Sequence, residues 1–248
     1  MRTTENCIKH NTLVKVYPDG SRSVLVASRQ IFREAGWERA DQWEKPPRQL
    51  SIEKVESDDA KLRAQRRARS AVRDLALANP MRYFITLTLN KECIDRYDAA
   101  TIIPRLQVWL DNMVRRHGLK YILVPEHHKD GAIHFHGFIN DALRVVDSGV
   151  KQNGRQIFNL PQWKFGFTTA IELYGDYNAA VGYVCKYIAK EQEKIGGRWY
   201  YSGGGLARPS VEYTDTNMPD GIPTFESATL QGVALAQYKI DKDGVITK

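Results

Sequence analysis

The sequence predicts an α+β fold, a mainly antiparallel sheet of about five strands flanked by helices in a split β-α-β-β-α-β order. Three observations predict it. Residues 83–89 (YFITLTL) are rich in β-branched and aromatic side chains, which suit a half-buried pleated surface. Leu106, Trp109, Leu110, Met113 and Val114 recur at i, i+3, i+4, i+7 and i+8, the stripe of an amphipathic helix. Residues 121–126 (YILVPE) and 132–139 (AIHFHGFI) then read as two strands joined by a short polar loop ending in Asp130-Gly131.

The remaining elements follow in order. Residues 12–27 form a hairpin, because two apolar runs flank Pro18-Asp19-Gly20-Ser21. Pro46-Pro47 within residues 41–50 marks a linker. A helix spans about residues 58–78, with Ser57, Asp58 and Asp59 as capping residues and Asn79-Pro80 as its stop. The amphipathic helix starts at Pro104, a favoured first position, and stops at Gly118. Residues 141–165 are polar and irregular, an excursion from the sheet. Residues 167–173 (FTTAIEL) give a fourth strand, Asp176 caps a helix running to about Glu193, and residues 198–202 (RWYYS) give a fifth strand. The tail is loop-rich until a last hairpin around Lys242-Asp243-Gly244.

Composition excludes several classes. At 42% hydrophobic and 26% charged residues, the chain matches neither a disordered nor a fibrous protein. It has no apolar run long enough to span a bilayer, and the stretch Met1-Arg2-Thr3-Thr4-Glu5-Asn6 is not a signal peptide, so we expect a cytoplasmic protein that does not engage membranes. Cys7, Cys93 and Cys185 lack C-x-x-C spacing, which argues against a disulfide framework and a thiolate zinc site.

The net charge of +7 is concentrated. KLRAQRRARSAVR, from Lys61 to Arg73, holds six basic residues and no acid, on a helix whose apolar seam is Leu62, Val72, Leu75 and Ala76. A solvated charged face is one reading of such a run. The other is a helix that meets nucleic-acid phosphates through Arg63, Arg66, Arg67, Arg69 and Arg73, where bound cations are released from the polyanion.

His134-Phe135-His136 carries the first chemical signal. Side chains alternate along a strand, so both imidazoles point to one face and Phe135 to the other. Two such histidines can hold one metal if a third ligand joins them, and Glu126, His127 and His128 precede them. A three-residue loop Lys129-Asp130-Gly131 puts Glu126 opposite His134, whereas a two-residue Asp130-Gly131 turn puts His127 there. Both registers fit the spacing. Two His with Glu suit Mg2+ or Mn2+, and three His lean toward zinc.

Tyr183-Val184-Cys185-Lys186-Tyr187-Ile188-Ala189-Lys190 carries the second. Val181, Val184, Cys185 and Ile188 form the helix's apolar stripe, and Tyr183 and Tyr187 adjoin each other at i, i+4 well away from its centre. Core packing is therefore the weaker explanation for them. Each is followed three residues later by a lysine, Lys186 or Lys190, and ammonium charge assists a tyrosyl nucleophile.

Taken together, FITLTL at 84–89, the run from Pro125 to His136 and GYVCKYIAK from Gly182 to Lys190 resemble the HUH endonucleases, and most closely the rolling-circle replication initiators of small single-stranded DNA phages. The resemblance covers about residues 60–205 and divides the chain into an accessory segment (1–55), an HUH, RRM-like domain (56–205) and a tail (206–248). It implies Mg2+ or Mn2+ on His134, His136 and Glu126, which favours the three-residue loop, and Tyr183 and Tyr187 as nucleophiles with Lys186 between them. The implied reaction nicks and rejoins single-stranded origin DNA through a 5′-phosphotyrosine and a free 3′-hydroxyl. Lys190 would join the arginines in binding DNA. No G-x-x-x-x-G-K-[ST] loop is present, so helicase and polymerase would be supplied by the host, in a bacterial cytoplasm for a phage or plasmid protein. The alternatives are a transposase or plasmid relaxase of the same superfamily, or a non-catalytic RRM-like module that binds through Tyr83, Phe84 and the basic helix.

Overall fold

The computed structural model describes residues 7–34, 58–215, 225–228 and 234–247. The linker expected at 41–50 lies outside them. In chain order the elements are β1 (Cys7–Val16), β2 (Arg22–Glu34), α1 (Asp58–Ala78), β3 (Tyr83–Leu89), α2 (Ala99–His117), β4 (Tyr121–His127), β5 (Ile133–Ile139), β6 (Val146–Gln152), β7 (Arg155–Asn159), β8 (Gly166–Glu172), α3 (Tyr177–Lys190), β9 (Tyr201–Gly203), β10 (Ser210–Thr214), β11 (Phe225–Ala228), β12 (Ala234–Ile240) and β13 (Ile246–Thr247). They form two compact units, Glu56–Arg208 and Met1–Val55 with Pro209–Lys248, each with one antiparallel sheet. The class is α+β as the sequence predicts.

The Glu56–Arg208 unit has a seven-stranded sheet in the order β6-β7-β8-β3-β5-β4-β9. Strand alternation sorts its side chains between two cores. Ile85, Leu87, Ile133, Phe135 and Leu123 pack on one face against Ile102, Leu106 and Leu110 of α2. Ile122, Val124 and Phe138 pack on the other face beneath Val72 and Leu75 of α1 and Val181, Val184 and Ile188 of α3. Each fully buried large side chain contributes roughly 1.5–3 kcal/mol by leaving water.

Several boundaries depart from expectation. Helix α2 begins at Ala99, not Pro104, because Asp98 caps it by accepting from Ala100 N at 2.9 Å. Pro104 sits in the second turn, where it forfeits one backbone hydrogen bond. Helix α3 stops at Lys190, short of Glu193, because Gln65 of α1 donates to the carbonyls of Ile188 and Glu191 at 3.4 and 2.6 Å. The fifth strand starts later, at Tyr201. Residues 141–165, expected as an excursion, carry the β6/β7 hairpin, which extends the sheet beyond β8. Its two-residue turn is Asn153-Gly154, with φ of 50° and 77°. Strand β6 is exposed at nearly every position, so it has no apolar alternation to betray it.

In the other unit the expected hairpin is longer, with β1 and β2 paired from Val16↔Arg22 to Cys7↔Glu34. The tail is not loop-rich. It supplies β10 to β1 and β12 to β2, with β11 and β13 beside β12. These strands are short or interrupted, and their stability comes from partners distant in sequence. The last hairpin is the β12/β13 turn, with Val24, Val26, Ala236 and Tyr238 as the buried cluster.

Candidate active site

The β4/β5 loop determines which groups meet. His128 N donates to Ala132 O at 2.8 Å, leaving Lys129-Asp130-Gly131 as a three-residue loop with Gly131 at φ 85°. Asp130 fastens it by accepting from Ala132 N at 3.1 Å and from Arg96 Nη2 at 2.9 Å. Glu126 therefore pairs with His134, and His127 with Ile133. His127 is engaged elsewhere: its N lies 2.8 Å from Glu191 Oε1 and its Nδ1 2.8 Å from Oε2, at the end of α3.

Register then lines up two rows on the face that carries α3. Glu126, His134, Thr88 and Phe167 form one row, and Val124, His136, Thr86 and Thr169 the next. His136 Nε2 is 2.9 Å from Glu126 Oε2, and its Nδ1 is 3.0 Å from Thr86 Oγ1. Burial pushes the His136 pKa down to about 4, against the pull of Glu126. The ring is neutral at neutral pH, and its contact with Glu126 is a hydrogen bond rather than an ion pair. Burial lowers the His134 pKa as well, and the His134 ring stacks on His128 at 4.9 Å.

Both tyrosines reach this cluster. The Tyr187 ring stacks on His136 with centroids 4.2 Å apart and planes 6° apart, and its hydroxyl donates to the Tyr183 hydroxyl at 2.8 Å. Against expectation, Tyr187 belongs to the core, at 6% exposed, because α3 lies flat enough on the sheet to press it over His136. Tyr183 is 51% exposed and packs edge-on against Phe84. Burial and the bond to Tyr183 raise the Tyr187 pKa, so this hydroxyl keeps its proton and can donate it to an oxygen on Tyr183.

The lysines separate. Lys186 is exposed, while Lys190 Nζ lies 3.0 Å from Glu126 Oε1 and 4.7 Å from the Tyr187 ring centroid. Glu126 thus spends one oxygen on His136 and the other on Lys190, and among the described residues no three His, Cys, Asp or Glu side chains are arranged to hold a metal ion. The donor chemistry nonetheless suits a divalent cation, since two neutral imidazoles and a carboxylate sit on adjacent strands of one face.

On α1, Arg63, Arg66, Arg67 and Arg69 are exposed and Arg73 is half-buried, while Ala68, Val72, Leu75 and Ala76 face the core. Leu62, expected in the apolar seam, is 49% exposed. Tyr83 and Phe84 are only half-exposed and pack against Phe158 and Phe138, so neither presents an open ring. Sequence reasoning missed Thr86 and Phe167. The alternation in YFITLTL carries the signal for Thr86, since it places Thr86 and Thr88 opposite the core residues Ile85 and Leu87.

Residues 82–192 match the family model of the ORF2-type replication-associated proteins. Neither a curated protein nor a solved structure matches the chain. The matched segment runs from the start of β3 to just past α3, so it contains Glu126, His134, His136 and both tyrosines but not the basic helix. Over that segment the chain is similar to replication-associated proteins, which points to a role in replication initiation and to interaction with DNA.

Proposed function

We propose that this protein is a replication initiator endonuclease that nicks and rejoins single-stranded DNA at an origin by tyrosine transesterification. One observation carries the reading: Tyr187 stacks on His136 and hydrogen-bonds Tyr183, so two tyrosyl oxygens stand together beside a His, His, Glu set. His134, His136 and Glu126 would hold Mg2+ or Mn2+, which when bound polarises the scissile phosphate. His136 can offer Nε2 only with its proton on Nδ1, where Thr86 Oγ1 at 3.0 Å is placed to accept it.

The tyrosyl oxygen attacks phosphorus as its proton leaves to solvent. A tyrosyl O–P bond forms, the P–O3′ bond breaks, and the departing oxygen takes up a proton as the 3′-hydroxyl that primes synthesis. Tyr183 makes the first attack, because the Tyr187 hydroxyl donates to its oxygen and stabilises the phenolate. Lys186 and Lys190 offset charge on the phosphate, and helicase and polymerase come from the host. The test is a labelled origin-length oligonucleotide incubated with protein and Mn2+, then denatured. A protein-linked 5′ fragment supports the reading; cleavage without an adduct, or none at any origin-derived oligonucleotide, refutes it.

A further inference from the structure

We propose that the face of β8 beside the tyrosines is a track for an unpaired DNA strand, with Phe167 as a base-stacking platform and Arg155 as a phosphate contact. The proposal deepens the nuclease reading and takes from it that the strand is DNA. Phe167 is 68% exposed, although it lies on a strand inside the sheet. Its register partner is Thr88, which also pairs with His134, so its ring rises on the histidine face two strands away, roughly 10 Å from His134. On that face its strand neighbours are Thr169 and Thr88, hydroxyl residues rather than an apolar patch. An isolated open ring among hydroxyls suits the π-face of a base better than the apolar surface of a protein partner.

The space beside it runs on toward the tyrosines. A groove of about 780 Å³ is lined by Thr86, Tyr183 and Tyr187 on one side, Thr169 on its floor, and Tyr174 with Arg155 beyond. Tyr174 is 60% exposed, and the Arg155 guanidinium lies 5.1 Å from its ring centroid. The other charged group in the lining, Asp176, is occupied in capping α3 through Ala179 N at 3.0 Å. The groove therefore presents a cation and open rings around the tyrosyl oxygens, which fits a backbone phosphate and unstacked bases on either side of the attacked bond.

The test uses the full chain, a fluorescent oligothymidylate and EDTA, so that binding is read without cleavage. Phe167→Ala should weaken binding about 5- to 100-fold with an unchanged melting midpoint, and Phe167→Trp should restore it. Arg155→Gln should reduce the salt dependence by about one phosphate contact. Binding by Phe167→Ala equal to wild type, or a wild type that prefers duplex to single strand, overturns the track. The nuclease reading fails separately: a wild type that forms no covalent adduct, yet still needs Phe167 for binding, loses the nuclease and keeps the track.

Discussion

Lys190 Nζ and His136 Nε2 divide one carboxylate: the ammonium lies 3.0 Å from Glu126 Oε1 and the imidazole 2.9 Å from Oε2. A lysine there competes with any divalent cation for Glu126. Lys190→Met should therefore tighten Mn2+ binding about two- to fivefold by titration calorimetry, a modest gain because the Lys190 side chain is 61% exposed. Unchanged or weaker affinity would show that Lys190 does not compete.

Thr86 should act on the same ion in the opposite direction. Without its oxygen, the proton on His136 Nδ1 loses its acceptor, and Thr86→Val should weaken Mn2+ binding about 10-fold. Thr86→Ser keeps the oxygen and should retain the affinity; an equal loss in both variants would point to packing instead.

His136 makes stability depend on pH in the metal-free protein. Its folded pKa, about 4, lies below the ordinary 6.5, so the unfolded chain binds the proton more readily. The contribution is complete above about pH 6.5, falls as pH drops toward 4, and is gone below, a loss on the order of 2–3 kcal/mol. Denaturant titrations in EDTA across this window should show the decline, and His136→Gln should flatten it.

The tyrosines should differ in kind. Tyr183→Phe should abolish the first adduct on a simple oligonucleotide, while Tyr187→Phe should still cut once but fail on a two-origin substrate. Because Tyr187 donates to Tyr183, the single cut in Tyr187→Phe should slow about 10-fold and its pH profile should move upward. Adducts lost in Tyr187→Phe alone would reverse the order.

For the basic helix, neutralising Arg63, Arg66 and Arg67 should weaken binding to every DNA sequence and reduce the salt slope by about one unit per lost phosphate contact. An unaltered slope would leave α1 as a solvated face.

The strand alternation that pairs His134 with His136, the caps at Gly118 and Asp176, and most of the central sheet are legible in the sequence because each rests on neighbours close along the chain. The choice between Glu126 and His127 is not, since it turns on the backbone of Gly131. Helical geometry places the tyrosines side by side but does not show that α3 presses one onto His136 and leaves the other open. It likewise does not tell that Lys190, rather than Lys186, reaches Glu126. Asn153-Gly154 is a readable turn, yet β6 offers no buried face to mark the strand that leads into it.

The pairing of β1 with β10 and of β2 with β12 imposes an order on biosynthesis. Strands made first leave the ribosome with neither outer edge covered, and their partners arrive only when the closing segment, Pro209–Lys248, is translated. Meanwhile all of Glu56–Arg208 has emerged and can fold on its own local contacts. A ribosome that stops early would release a chain with the chemical groups assembled and the amino-terminal strands still seeking partners, a species prone to pair with its own kind.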